Sequence, residues 1–469
     1  MLLPEMNEWL EENKAALCAD LRRLIRIPSI ARPGEAGYAM GPDCAACADA
    51  VMEIGARMGF HTENDDYYCV SLLLPGESPE EYAVLGHMDV VPAGDGWSFP
   101  PFCGSQRGEW VLGRGADDNK GACVMALYAL KYIREKLPRL PRTLRLIFGF
   151  QEESGMGDVR HYLTTHPTAP KFTLVCDGCW PAISGEKGAL KAVVSLSVGL
   201  PNLRELTAGE ASNSVPALAR AVLDLPQESF GPVPSAVELF EREGATEVRA
   251  RGVAAHAAFP QGGVNAAALL FEALSGCRRF PEPARDRLGR IASILRETDG
   301  RSLGIAACDE LSGPTTCVAS MVRWESGRLF ITFDARYTLT QDALSTEGRF
   351  REQCRALGFT VEELTNSAPR YTNPELPLVK GLIRMANEHY GLRLQPIVMG
   401  GGTYAKVFPR SLPFGLGFFD EDSPYPPSPY GKAHQADEAV SVERLCDALP
   451  LYVKALVWLT EENFETPEV

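Results

Sequence analysis

Residues 81–92 read EYAVLGHMDVVP. The first half is an apolar run of strand length, and it ends in a histidine and an aspartate two positions apart. Residues two apart on an extended chain share a face. His87 and Asp89 can therefore sit together, the imidazole on a metal and the carboxylate orienting it. Alone the pair is weak evidence, because a strand-end histidine bonded to a neighbour looks the same. Its meaning depends on what surrounds it.

Working outward, comparable runs occur at 68–76 (YCVSLLLPG), 143–153 (TLRLIFGFQEE) and 171–178 (KFTLVCDG). Each is strand length, partly β-branched or aromatic, and closed by polar, Gly or Pro residues. Between them, 120–137 (KGACVMALYALKYIREKL) has the pattern of an amphipathic helix. Upstream, Leu17, Leu21, Leu24 and Ile25 have helical spacing before a break at Ile27-Pro28-Ser29, and a second helix is expected over Pro42–Met58, ending at Gly59. Strands alternating with helices predict an α/β layer around a largely buried mixed sheet.

The pattern changes near residue 187. KAVVSLSVGL (191–200), EVRARGVAAH (247–256) and WESGRLFITFDARYTL (324–339) alternate as strands, and 264–276 and 345–358 read as helices. The α/β style returns with 376–391, 396–405 and a last helix over 442–459. The expected organisation is a catalytic α/β domain over 1–186 and 372–469, with an α+β domain inserted at 187–371. Residues 420–430 (DEDSPYPPSPY) read as a Pro-rich loop.

Candidate ligands cluster at the strand ends, where α/β sheets bind their ligands. GRGADDNKG (113–121) places Asp117 and Asp118 just before a helix. A helix N-cap is the competing reading for Asp117, whereas a two-oxygen carboxylate is suited to bridge two cations. Glu152 and Glu153 follow a buried strand. Adjacent residues there diverge, so one can bind metal while the other faces the attacking water, as a general base must. Asp177 closes FTLVCDG and would otherwise be a turn residue. His434, in GKAHQADE (431–438), is one of only seven histidines. Two histidines and three carboxylates suffice for a two-metal site with one bridge, suited to zinc and also to manganese or cobalt. Such ions, about 3.5 to 4 Å apart, hold a hydroxide and polarise a carbonyl.

Bulk properties narrow the partners. The chain has 469 residues, 45% of them hydrophobic, a net charge of −15 and a pI near 5.1. Strong acidity argues against nucleic acid and anionic membrane surfaces. No apolar run reaches the roughly 18 to 20 residues of a membrane span. The start, MLLPEMNEWLEENKAAL, is acidic at Glu5, Glu8, Glu11 and Glu12, unlike a secretory signal. The 13 cysteines show no framework and read as reduced thiols of a cytoplasmic protein. The pairs Cys44/Cys47 and Cys176/Cys179 have zinc-like spacing, but buried small hydrophobes is the plainer reading.

Taken together, HMDVVP, GRGADDNKG, QEESG, the aspartate of VCDG and the histidine of GKAHQADE resemble the five signatures of the M-twenty metallopeptidase family, in family order from about Ile27 to His434. SGEKG (184–188), GEASNSVP (209–216) and MGGGTYAK (399–406) resemble the dipeptidase V and manganese-dependent Sapep-like subfamily. The resemblance implies a zinc-peptidase-like catalytic domain with an inserted lid, two divalent ions per chain (zinc foremost, manganese or cobalt as alternatives) and a small dipeptide as substrate. It implies that His87 and Asp177 hold one ion, Glu153 and His434 the other, and Asp118 both, with a cis peptide after Asp118. Asp89 would support His87, and Glu152 would act as base and then as acid. In the lid, His256 would stabilise the oxyanion and Asn213 would lie near the substrate. Arg336 would grip the substrate carboxylate, beside a backbone-rich loop at Gly401, Gly402 and Thr403. An insert of about 185 residues is longer than one typical α+β unit, and the resemblance then implies a monomer.

The chain departs from the family pattern at Asn119, where Asp or Met is more usual, and in the Ala-rich surroundings of His256. Residues 207–234 align poorly. These leave substrate preference open. An N-acyl-amino-acid deacylase or desuccinylase on the same cage is the alternative enzyme. A metal-free binding protein and a cysteine hydrolase through Cys176 are remoter readings.

Overall fold

The computed structural model describes residues 3–200, 202–419, 422–462 and 464. Of the expected Pro-rich loop, Asp420 and Glu421 lie outside them. The chain forms two compact units. The first comprises 1–184, 372–397 and 403–469, and the second 185–371 with 398–402.

The first unit is built on a six-stranded mixed sheet. Its strands include β1 (His61–Asp65), β2 (Cys69–Leu74), β3 (Ser78–His87), β4 (Arg142–Gly149) and β5 (Phe172–Val175), with Ser411–Pro413 at one edge. The spatial order is β1-β2-β4-β3-β5 and then Ser411–Pro413. The two strands at the β1 edge pair antiparallel. From β4 onward every pairing is parallel.

Side-chain alternation explains the layering. Val70, Leu72, Tyr82, Val84, Leu144, Leu146, Phe148, Phe172 and Leu174 share one core with helices α1 (Leu3–Ile25), α2 (Pro42–Arg57), α3 (Gly121–Lys136), Pro377–Tyr390 and Val442–Glu461. Their neighbours Cys69, Ala83, Leu85, Ile147 and Val175 form a second core with Val159, Tyr162 and Tyr404. A period of two over strands buried on both faces gives helices on both sides. Cys44, Cys47 and Cys176 are core residues of the first layer.

Lys120 fixes the start of α3. Its ammonium is wholly buried and donates to the carbonyls of Leu24 and Ile27, each at 2.9 Å. These lie at the C-terminal end of α1, where helical carbonyls lack partners and a cation is favoured. The segment that carries Asp118 is thereby fastened to α1.

The second unit is an eight-stranded antiparallel sheet. Its order runs Val237–Arg242, Ala245–Arg251, Leu218–Leu223, Leu203–Ala208, Thr316–Glu325, Arg328–Tyr337, Gly188–Leu196, Thr360–Ser367. Helices Ala266–Ser275, Glu282–Arg296 and Ala343–Ala356 complete its core. Two local expectations change. The strand expected to reach His256 ends at Arg251, because Gly252 turns to bond Ala217 and Val253 pairs with Val264. Helix Glu282–Arg296, not among the expected elements, buries Leu288, Ile291, Ala292 and Leu295 at helical spacing on an otherwise charged sequence.

Gly86, next to His87 on β3, shows how tightly this edge is filled. A Cβ there would lie 2.5 Å from the Cys123 sulfur, 2.6 Å from the Cys176 sulfur and 2.8 Å from Asn119 Oδ1. Gly86→Ala is expected to cost about 1–3 kcal/mol by overpacking, read as a lower midpoint in thermal unfolding. An unchanged midpoint would show that the sulfurs give way freely.

Candidate metal centre

Parallel pairing places the carboxyl ends of three strands side by side. In register, His87 of β3 faces Gly149 of β4, and Leu85 faces Val175 of β5. The residues just beyond those ends therefore emerge together: His87 and Asp89, Glu152 and Glu153, and Asp177. Asp118 joins them from the turn Ala116–Lys120 before α3, and His434 from the loop before Val442–Glu461. All seven belong to the first unit.

His87 is buried. Its Nε2 lies 3.1 Å from Asp118 Oδ1 and 3.8 Å from Asp177 Oδ2. His434 Nε2 lies 3.0 Å from the other Asp118 oxygen and 2.9 Å from Glu153 Oε1. Asp118 thus offers one oxygen to each imidazole. Potential ligand atoms of His87, Glu152 and Asp177, and again of His87, Asp118 and Glu153, lie within 4.8 Å of one another.

Asp89 is tied into the site differently from the sequence expectation. The nearest acceptor to His87 Nδ1 is the Asp89 carbonyl at 3.0 Å, with the carboxylate at 3.5 Å. The carboxylate accepts the backbone N–H groups of Glu152 and Glu153, each at 3.1 Å. One residue therefore fixes both the imidazole tautomer and the turn that presents the two glutamates. Across that turn, buried Asp158 accepts from the amides of Phe150 and Gln151 at 2.6 and 2.7 Å and from the Tyr404 hydroxyl. The Tyr404 ring stands edge-on to His87.

The electrostatics follow from the crowding. Burial alone would depress the basicity of His87, but its contacts with Asp118 and Asp89 raise it well above the usual imidazole value. Asp118 and Glu153 raise His434 to about 10. Burial pushes Asp118 up, yet the two histidines prevail and hold it below the ordinary carboxylate range. Burial drives Glu152 well above that range, with Asp177 and Glu153 adding to the effect against the pull of His87. Its Oε1 is buried without a hydrogen-bond partner among the described residues. Two imidazole nitrogens aimed at carboxylate oxygens require a proton or a cation between them. The donor set of nitrogen and carboxylate oxygen fits divalent ions such as zinc or manganese.

Several supporting residues stand outside the set expected from sequence. Asn119 Oδ1 faces the His87 amide at 3.4 Å, and its Nδ2 donates to the Cys176 carbonyl at 3.2 Å. It links the residues next to Asp118, His87 and Asp177, and the Asp118–Asn119 peptide is cis. Asp117 is not a cap of α3; its carboxylate accepts the Ala433 amide. Arg114 and Glu438 form a buried ion pair. The arginine of GRG and the last glutamate of AHQADE were the available signals, but each reads equally as a surface charge.

The second unit gathers the residues expected in the lid. The Ala257 amide donates to the Asn213 carbonyl at 2.9 Å, and Ser214 and His256 form an isolated antiparallel bridge. His256 Nδ1 accepts the Ala258 amide at 3.1 Å, so a neutral ring carries its proton on Nε2. Arg336 is locked by a two-pronged pair with buried Asp334, at 2.8 and 3.0 Å. A Cβ at Gly400 would lie 2.7 Å from Ala258 Cβ and 3.9 Å from Arg336 Cγ, so the glycine run lies beside both. The expected loop is divided between the units: Gly401 and Gly402 belong to the second and Thr403 to the first. Thr403 caps the turn Tyr404–Lys406 by accepting the Ala405 amide at 3.1 Å.

Comparison with known proteins bears on this arrangement. A model described as peptidase family M20/M25/M40 matches residues 83–457. A Bacillus subtilis protein named "Putative dipeptidase YtjP" is 30% identical over 473 residues, covering 96% of this chain and 98% of that protein. The Beta-Ala-Xaa dipeptidase of Lactobacillus delbrueckii subsp. lactis is 28% identical over 478 residues, covering 97% and 98%. The crystal structure of human carnosine dipeptidase 1 shares the fold, with a TM-score of 0.62 at 13% identity over 98% of this chain and 99% of that one. With a family match across most of its length, the chain belongs to peptidase family M20/M25/M40 and is a hydrolase of peptide bonds.

Proposed function

We propose that this chain is a dinuclear metallo-dipeptidase that cleaves small dipeptides. The observation that carries the reading is Asp118, whose two oxygens face two different imidazoles at 3.1 and 3.0 Å, the geometry of a bridging carboxylate. The dipeptidase names borne by relatives that align over nearly the whole chain support the substrate class.

In this reading His87 and Asp177 would hold one ion, Glu153 and His434 the other, and Asp118 would contribute to both. Zinc suits the set best, and its share of carboxylates also admits manganese or cobalt. Bound there, the ions would polarise the scissile carbonyl and lower the pKa of a water toward neutrality. Glu152 takes the proton of that water and returns it to the leaving amine. Its Oε1 is buried with no hydrogen-bond partner among the described residues, which leaves it open to accept that proton. His256 donates from Nε2 to the carbonyl oxygen as negative charge develops. Arg336, held flat by Asp334, receives the substrate carboxylate, with Asn213 and the Gly401–Gly402 backbone lining the substrate. Asp89 keeps His87 Nδ1 as the donor, leaving Nε2 for the metal.

Three outcomes test this. Dipeptides, presented with zinc, manganese or cobalt, are expected to be turned over faster than acetylated or succinylated amino acids; the reverse order would make the chain a deacylase. Glu152→Gln is expected to lower kcat by about 100- to 10,000-fold with metal content unchanged, and near-normal turnover would remove Glu152 from the proton transfer. Finally, His434 holds a proton at pH 7 in the metal-free site, because Asp118 and Glu153 raise it to about 10. An ion taking its Nε2 would displace that proton. Calorimetric titration in buffers of different ionisation heat is expected to show proton release at pH 7, diminishing as the pH passes about 10. Heat independent of buffer would contradict the protonation.

A further inference from the structure

We infer that Arg114 and Glu438 are a positioning pair that acts chiefly on one half of the metal centre, the half made by Glu153 and His434, and reaches the half made by His87 and Asp177 only through the shared Asp118. The inference rests on the two-ion reading above. Both residues are almost wholly inaccessible, at 1% and 0% exposure. A buried ion pair gives up hydration that it recovers only through well-placed partners, so the partners show what the pair is for.

Most of those partners lie on the two segments that carry Asp118 and His434, and Ala93 and Trp97 lie on the stretch after Asp89, with Arg114 and Glu438 themselves 324 positions apart in sequence. Glu438 Oε1 accepts the amides of Asp117 and Asp118 at 3.0 and 3.1 Å, and its other oxygen accepts Arg114 Nη1. Arg114 Nη1 and Nη2 also donate to carbonyls, of Gln435 at 3.2 Å, Ala93 at 3.1 Å and His434 at 3.4 Å, while its Nε is buried with no hydrogen-bond partner among the described residues. The Gly113 amide bonds the Glu438 carbonyl at 2.9 Å, and the Trp97 ring lies 5.2 Å from the guanidinium.

The two imidazoles are held by different means. His87 is set by the register of β3 and by Asn119 and Asp89. His434 sits in a loop with its side chain 49% exposed and its backbone in the left-handed region, at φ 66. Its ring is aimed by its backbone, and that backbone is clasped by Arg114. Arg114 and Glu438 are buried away from solvent, so they act through the ligands they place.

The test is titration of manganese alone into the metal-stripped full chain, comparing wild type, Glu438→Gln and Arg114→Lys. Far-UV circular dichroism and thermal unfolding of the metal-free proteins report the fold. Wild type is expected to take up two ions. Glu438→Gln leaves a donor facing Arg114, and is expected to weaken one ion about 10- to 100-fold, the usual scale for an outer partner of a ligand, and to weaken the other, which shares only Asp118, several-fold less. Arg114→Lys keeps the charge but not the fork, and is expected to weaken the same ion less. It carries the test if Glu438→Gln does not fold. Two unchanged ions in a folded variant, or equal weakening of both, would overturn the positioning role while leaving the two-ion reading intact. Both variants failing to fold would also overturn it, since the pair would then serve the whole unit. Wild type binding no ion would remove the two-ion reading and this inference together.

Discussion

The structure of the first unit is organised around the problem of holding Asp89, Asp118, Glu152, Glu153, Asp177 and Glu438 close together in partly or fully buried positions. Carboxylates so placed repel one another and lose hydration. Each must be offset by amides, by a basic side chain or by a cation. The answer differs residue by residue. Asp89 is offset by two backbone amides, Glu438 by amides and Arg114, and Asp118 by two imidazoles. Glu152, with one oxygen lacking a partner among the described residues, carries the least compensation. Burial drives its proton affinity well above the ordinary range, and raises that of Glu438 to about 7.

This grading separates structural carboxylates from reactive ones. A carboxylate satisfied by amides is fixed in position, and serves to place something else. A carboxylate enclosed without such bonds is poised to change its protonation state. The placement of both kinds depends on parallel strands ending level with one another, which is why the sheet turns parallel where the site is built.

Much of this was legible in the sequence because the presumptive ligands occupy short motifs at strand ends. HMDVVP, QEES and VCDG each join an apolar run to a polar terminus, so the chemistry and the fold are written in the same few residues. The layered α/β and α+β styles were legible for the same reason, through side-chain period. What could not be read were the pairings between distant segments. Arg114 and Glu438 have no local signature as partners, and Asp89 shares its carboxylate with the Glu152–Glu153 turn only because β3 and β4 are neighbours. Helix Glu282–Arg296 was obscured by its charged residues, and the passage from Gly402 to Thr403 between units has no compositional mark.

The interruption of the first unit by the second has a consequence for biosynthesis. A chain made from its N-terminus produces β1 to β5 early, then the whole of the second unit with its own core, and only afterwards the edge strand Ser411–Pro413, His434 and the final helix. Until then the nascent protein holds Asp118 and Glu153 with neither the second imidazole nor Glu438 opposite them. The acidic pocket is therefore completed only after the second unit has been made, when His434 and Glu438 join residues synthesised some three hundred positions earlier.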